Sequence, residues 1–328
     1  MARIDKLTNF LSDVATAIKD KTGKTDNITP ANFDTEIASI ETGGGSSTMT
    51  KGLVIDACDE NGRVTDVSIV GMDSIPEYYI YYLFTKATNA SKSNALKSPV
   101  NVHLPENVTL LKDYSFYENN NMISINLPNS ITDIGEHAFE NCPNLVIPSL
   151  PNGLTKIGYY SFKGCSKLAL TSLPSNVTLI DTSAFEGCTD LALTSLPSGL
   201  TTIKWQAFTG CANLAITEIP SGVTTLDRLV FAECTNLNHI TFLGDITSLA
   251  TNGTYPTFRG NTNLSYVSFP NVTKVPNICS GEFRDSPIRL GTGYVYVPDN
   301  LVDSFKAATN WSTIADQIKP ISELEASE

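Results

Sequence analysis

The chain has 328 residues, enough for one elongated domain or two compact ones, and 41% of them are hydrophobic, as an ordered soluble protein requires. Its formal net charge is −12 with no block of Lys and Arg, which argues against nucleic acid or an anionic membrane as the main partner, because both reward clustered positive charge. No apolar run approaches the roughly 18 residues of a membrane span. The start Met1-Ala-Arg-Ile-Asp-Lys leads into an amphipathic pattern without a signal-peptide core, so synthesis in a cytoplasm is expected.

In chain order, residues 1–42 read as a small helical module. Ile4, Leu7, Phe10, Leu11, Val14 and Ile18 recur at intervals of three and four, the stripe of an amphipathic helix ending near Gly23. Thr29-Pro30 opens a second short helix with Phe33, Ile37 and Ile40 on one face. About forty residues cannot enclose a core of their own. The stripe is therefore expected to bury itself against copies of itself or against a docking partner. Residues 43–50, rich in Gly and Ser, read as a flexible linker.

Residues 51–99 are expected to form a cap. Leu53-Val-Ile and Val67-Ser-Ile-Val flank an Asn61-Gly62 turn, the signature of a hairpin that would close an open sheet edge. The run Ala57-Cys-Asp59-Glu-Asn61-Gly62 has the look of a calcium loop, but its first ligand position is Ala, and the hairpin turn is the simpler reading. Ile75 to Ile80 resembles a degenerate first coil, and the polar stretch 87–98 reads as a loop insertion.

From 100 to 293 the sequence repeats. Phe116, Phe139, Phe162, Phe185, Phe208 and Phe231 stand 23 residues apart, and Cys142, Cys165, Cys188, Cys211 and Cys234 follow at the same interval. Leu145, Leu168, Leu191, Leu214 and Leu237 keep the period, as do the Pro column from Pro105 to Pro220 and the Leu/Ile column from Leu111 to Leu226. A fixed period of this length means a solenoid whose coils cover one another's apolar edges. With parallel strands about 4.8 Å apart, seven or eight coils make a rod or shallow arc on the order of 35–40 Å long. After Phe231 the interval lengthens to 27 (Phe258) and 25 (Phe283), so the loops 244–257 and 271–293 are expected to carry specific contacts. Residues 294–328 read as a C-terminal cap, with a helix from about Asp299 to Ala308 and a second near Trp311–Gln317.

The unit Ala-Phe-x-x-Cys-x-x-Leu, with its strand and Pro, resembles the BspA-like (bacterial surface antigen A-like) leucine-rich repeats of bacterial and phage surface proteins. The segment from Tyr294 through Ile321 resembles that family's C-terminal cap. The likeness covers roughly residues 100–325. It implies a mainly β solenoid with a capping hairpin and a helical C-terminal cap, and it says little about the ligand. Leu11-Ser-Asp-Val-Ala-Thr-Ala-Ile-Lys-Asp-Lys-Thr-Gly-Lys-Thr-Asp-Asn-Ile, with Phe33-Asp-Thr-Glu-Ile and the glycine run, resembles the N-terminal module of tail-associated proteins in phages and prophages of Gram-positive bacteria.

The chemistry-bearing residues give no catalytic pattern. Successive cysteines of the ladder fall about 5 Å apart, within disulfide range. A file of five cannot all pair, however, and a reduced buried packing column is the expectation, with Cys58 and Cys279 as isolated core thiols. His103, His137 and His239 lie in no metal-binding spacing, and His137 is expected at the surface. Glu218, Asp227, Glu233 and Asp245 are the carboxylates from which a glycan hydrolase would choose its pair, and nothing sets one apart. Neither cofactor, metal nor catalytic residue is expected.

Strand alternation directs attention to two outward columns. One reads Ser124, Ile147, Leu170, Leu193, Ile216, His239, Tyr266; the other reads Asn126, Ser149, Ser172, Ser195, Glu218, Thr241, Ser268. The aliphatics in line would make an exposed apolar stripe, so Ile147, Leu170, Leu193, Ile216, Glu218, His239 and Tyr266 are the candidate partner-binding face. The alternative is a bulge that turns Leu170 and its equivalents inward and Thr171, Thr194 and Thr217 outward. The resemblances imply a virion protein: a phage tail fibre or baseplate component, anchored as a homotrimer by its N-terminal helices and touching a host-surface protein or glycan. A head decoration or head fibre is the alternative, with a bacterial surface adhesin or a glycan hydrolase less favoured.

Overall fold

The computed structural model describes residues 52–58, 64–76, 100–250 and 255–326. The helical module of residues 1–42, the linker, the Asn61-Gly62 turn, Ile80 and the 87–98 insertion lie outside the described residues. At the N-terminal end, β1 (Gly52–Cys58) pairs antiparallel with β2 (Val64–Val70). Parallel pairing carries the chain onward from β2 to β4 (Val100–His103) and then to β6 (Met122–Ile125).

Each coil then contributes two strand edges. The thin edge consists of two-residue strands: β3 (Ser74–Ile75), β5 (Leu110–Leu111) and β7 (Asp133–Ile134) form one sheet. β8 (Lys156–Ile157), β9 (Leu179–Ile180) and β10 (Thr202–Ile203) form the next. In each of these strands the second residue is buried, and the chain turns away after it. The wide edge begins as the β1–β2–β4–β6 sheet and resumes as β11 (Glu218–Ile219), β12 (His239–Phe242), β13 (Tyr266–Ser268), β14 (Tyr294–Val297) and β15 (Ile318–Pro320).

Between β6 and β11 the wide edge holds no regular strand, and the sequence explains why. The coils of β12 and β13 carry the pattern Leu-x-x-Ile/Val-x-Phe, as in Leu237, Ile240 and Phe242, all buried; Ile240 and Phe242 alternate on one face, as a strand requires. The intervening coils carry Leu-x-Leu-x-x-Leu, as in Leu191, Leu193 and Leu196, also all buried. Two inward residues three apart cannot be met by period-two alternation, so the chain bends between them, with Thr194 and Ser195 exposed at the bend.

The core is a file of stacked rings. From Phe116 through Phe139, Phe162, Phe185, Phe208, Phe231 and Phe258 to Phe283, neighbouring centroids lie 5.1–5.9 Å apart and the planes are within 15° of parallel. The longer coils after Phe231 leave this file unbroken; their extra residues are accommodated elsewhere in the coil. From Phe116 to Phe231 each Phe N–H donates to the carbonyl of the residue before the next Phe, for example Phe162 to Ala184 at 3.0 Å.

Two residues after each core Phe the backbone turns left-handed. The positions are Glu118, Asn141, Gly164, Gly187, Gly210, Glu233, Gly260 and Asp285. Glycine at 164, 187, 210 and 260 takes this positive φ without strain, whereas Glu118, Asn141, Glu233 and Asp285 adopt it at some cost.

The far end is closed by α1 (Pro287–Leu290), α2 (Val302–Ala307), a 3-10 segment over Trp311–Gln317, and α3 (Ile321–Glu325). Trp311 is fully buried, lies 6.1 Å from Phe283, and donates its indole N–H to the Pro276 carbonyl at 2.8 Å. It terminates the ring file.

Candidate binding surface

The wide edge presents the outward side chains. On β12, β13 and β14 the register sets His239 beside Tyr266 and Tyr266 beside Tyr294. The His239 and Tyr266 rings stack at 4.8 Å; Tyr296 meets Tyr266 edge-on at 5.6 Å, and the Lys319 ammonium stands 6.0 Å from the Tyr294 ring. Below them Thr241 and Ser268 share a hydroxyl hydrogen bond of 2.8 Å, and Glu218 is exposed on the neighbouring strand. Partial burial, with Tyr294 and Glu323 nearby, holds the Tyr296 hydroxyl above its ordinary pKa. Aromatic pairs across strands are a stabilising motif, and they also give a rigid contact surface at low entropy cost.

At the N-terminal end the same edge is polar. The Asn101 amide donates to Asp66 at 2.9 Å, and the Ser124 hydroxyl donates to Asn101 at 2.6 Å. These hydrogen bonds, Asn101's first, hold the Asp66 carboxyl below its usual range.

The middle of the expected face is corrected. Ile147, Leu170, Leu193 and Ile216 are at most 1% exposed and belong to the core. Thr171, Thr194 and Thr217 face solvent in their stead. The signal was present in the sequence: where Leu170, Leu193 and Ile216 are apolar, the next residue is Thr, and where His239 and Tyr266 are polar-tipped, the next is Ile240 or Val267. The inward residue moves by one position. Of the seven candidates, Glu218, His239 and Tyr266 remain outward.

The other chemistry-bearing residues have local roles. Each ladder thiol donates to the carbonyl of the Phe one coil earlier, from Cys142 to Phe116 through Cys234 to Phe208, at 3.0–3.1 Å. Burial pushes all five thiols up in pKa, and they are free. They form the reduced packing column. Cys279 donates to the buried Glu282 carboxylate at 3.1 Å, and burial raises Glu282 to about 7 although Thr257 N–H also donates to it at 2.8 Å. Cys58's side chain lies outside the described residues. His137 is half-buried rather than fully at the surface, stacked 4.4 Å from Tyr114 and bonded to Glu140. His103 is exposed and lies 3.7 Å from Asp66.

The carboxylates weighed for hydrolysis occupy different parts of the coil. Asp227 accepts from Arg228 N–H at 2.8 Å, and Asp245 accepts from Thr273 N–H at 3.0 Å and from its hydroxyl at 2.7 Å, which lowers its pKa. Glu233 sits at a left-handed turn, and Glu218 is on β11. Sequence reasoning passed over Trp205 and Tyr255, both exposed and both three residues before a core Phe. Tabulating every column of the repeat, and not only the apolar ones, finds them.

A search of curated proteins finds no match. Solved structures with a similar chain path include a leucine-rich repeat protein from Bacteroides ovatus, 20% identical, TM-score 0.49, covering 75% of this chain and 69% of that one. A leucine rich cell surface protein from Faecalibacterium prausnitzii is 18% identical, with TM-score 0.46 and coverage of 78% and 76%. The leucine-rich repeat protein of T. pallidum is 23% identical, with TM-score 0.41 and coverage of 79% and 93%. The model of the BspA type leucine rich repeat region matches in six copies over residues 91–214 and 169–288, more than half of the chain. With the 23-residue coil, the ring file and the cysteine column all accounted for by one repeating unit, the chain belongs to the BspA-type leucine-rich-repeat family.

Proposed function

We propose that this protein is a non-enzymatic binding component of a bacteriophage or phage-derived particle, a tail-fibre or baseplate protein that holds its solenoid outward for contact with a host-surface protein or glycan. The observation that carries the binding role is the row His239, Tyr266 and Tyr294, set side by side across three parallel strands with Glu218 beside it. Stacked rings on a rigid sheet lose little entropy on binding, and aromatic residues dominate interface energetics. Support for the particle comes from the sequence alone: the likeness of residues 11–45 to phage and prophage tail modules, and an apolar stripe of Ile4, Leu7, Phe10, Leu11, Val14 and Ile18 that needs a partner. In this reading the stripe, with Phe33 and Ile37, joins three copies and docks them to other structural proteins of the virion.

Light scattering on the full chain and on residues 46–328 tests the anchoring. A trimer that becomes a monomer on truncation, with loss of the protein from purified particles, supports the reading. A truncated chain that still enters particles, or a full chain that is monomeric and absent from them, overturns it. Tyr266→Ala and His239→Ala should weaken attachment to host cells while leaving melting nearly unchanged.

A further inference from the structure

The third residue before each core Phe forms a column distinct from the wide edge. It reads Asp113 and Glu136 in the first two coils, then Tyr159, Thr182, Trp205, Arg228 and, across the 27-residue coil, Tyr255, with Ser280 last, so the aromatic stretch spans Tyr159 to Tyr255. These residues follow the thin strands, on another edge of the coil from His239 and Tyr266. An aromatic ring returns at every second coil, and small Thr182 leaves the line open between the first two. Trp205 is 36% exposed and Tyr255 50%, although burial would stabilise both.

Arg228 sits between them. Its guanidinium carbon is 5.2 Å from the Trp205 ring centre and 5.8 Å from that of Tyr255. A guanidinium held against aromatic rings still carries N–H donors in its own plane that the rings do not satisfy. The Arg228 Nε is shut off from solvent and has no hydrogen-bond partner among the described residues, so the terminal amino groups form the available edge. The nearby cation Lys204 is neutralised by Asp181 at 3.0 Å. No described carboxylate forms a salt bridge with Arg228.

We infer that Tyr159, Trp205, Arg228 and Tyr255 form a binding ridge for an extended acidic polysaccharide, a chain of sugars that carry carboxylates. The C–H face of a pyranose is flat and apolar and gains dispersion contacts on an indole or phenol ring. A carboxylate at the edge of such a sugar meets a guanidinium edge in the bidentate geometry that gives strong, oriented hydrogen bonds. Trp205 and Tyr255 are exposed and Tyr159 and Arg228 half-buried, and the row follows successive coils, which suits a linear polymer laid along the solenoid axis. A protein partner would need about 800 Å² on each side, some 20–30 residues, whereas the ridge is one side chain wide. This site is separate from the wide edge and requires neither the N-terminal segment nor the particle assignment.

The test is titration of the full chain with oligogalacturonate, alginate and hyaluronan oligosaccharides, followed by calorimetry and tryptophan fluorescence. Trp311 is buried, so a fluorescence change reports Trp205. The ridge predicts saturable binding of at least one of these acids, weakened roughly tenfold or more by Trp205→Ala, by Arg228→Gln, and by reducing the sugar carboxylates to alcohols. Thermal melting of both variants should match the parent, and His239→Ala should bind like the parent. Failure of all three acids to bind overturns the inference, as does binding that neither variant alters. Equal, ridge-dependent binding of poly-glutamate would also overturn it, in favour of an acidic protein as occupant.

Discussion

Cys188 shows how one residue type is selected by its neighbours in space. Its thiol is buried and donates to the Phe162 carbonyl at 3.1 Å, a bond that serine would make from a shorter arm and alanine would lose. Cys188→Ala should cost about 1–3 kcal/mol, combining a small cavity with the loss of one of the two hydrogen bonds that the Phe162 carbonyl accepts, the other coming from Cys165 N–H, read as a shift in urea midpoint. The ladder thiols should react with a thiol reagent only after unfolding, because burial keeps them protonated and covered. Glu282 is the opposite case, a carboxyl held among buried groups with its pKa raised from 4.5 to about 7. The folded state therefore binds more protons than the unfolded chain between those two values, and stability falls as pH rises through that window. Glu282→Gln removes that dependence, and above pH 7 the variant should be the more stable by up to about 3 kcal/mol, measurable by denaturant titrations at pH 5 and pH 8.

Among the elements, the interrupted wide edge makes the sharpest prediction. Because Leu170 and Leu193 lie at 1% and 0% exposure, the double change Leu170→Asp with Leu193→Asp should unfold the solenoid rather than leave its melting unchanged. Thr171→Asp and Thr194→Asp, one residue away and exposed, should shift stability by no more than about 0.5 kcal/mol. Circular dichroism melts of the two pairs decide the matter. Exchanging the residues, Leu170→Thr with Thr171→Ile, recreates the Leu-x-x-Ile pattern of the strand-forming coils. It should recover part of the stability lost in Leu170→Thr alone, since the inward residue then falls on strand alternation.

The whole molecule is a one-dimensional stack, so its stability is a sum of coils and of the contacts between neighbours. Excising residues 168–190 removes one 23-residue period and brings Phe162 to face Phe208 across a new interface of the same ring-on-ring kind, without the Lys163–Glu186 and Lys204–Asp181 pairs. That deletion should fold and melt cooperatively, somewhat below the parent. Removing residues 294–326 is different in kind: it strips β14 from β13 and uncovers Val267, Phe269 and Phe283, which Trp311 and Phe305 now seal. An open parallel edge of apolar residues pairs with other chains, so this truncation should aggregate in size-exclusion chromatography.

The sequence by itself determined the period, the Phe file, the reduced cysteine column and the family, because each depends on one residue type recurring at one interval. It also carried the aromatic column of Tyr159, Trp205 and Tyr255, which is legible once every position of the repeat is read. The sequence carried a clue to which way Leu170, Leu193 and Ile216 point, the Thr that follows each, but strand alternation outweighed it and tertiary structure set the direction. Alternation along a lone strand allows either face. The choice fell to the stacked coils, which place Leu170 and its equivalents in the core between the two flanking aliphatics and leave the Thr outward. The sandwich of Arg228 between Trp205 and Tyr255 was likewise a product of stacking, since residues 23 and 27 apart along the chain meet only when coils of unequal length are held in register by the rings beneath them.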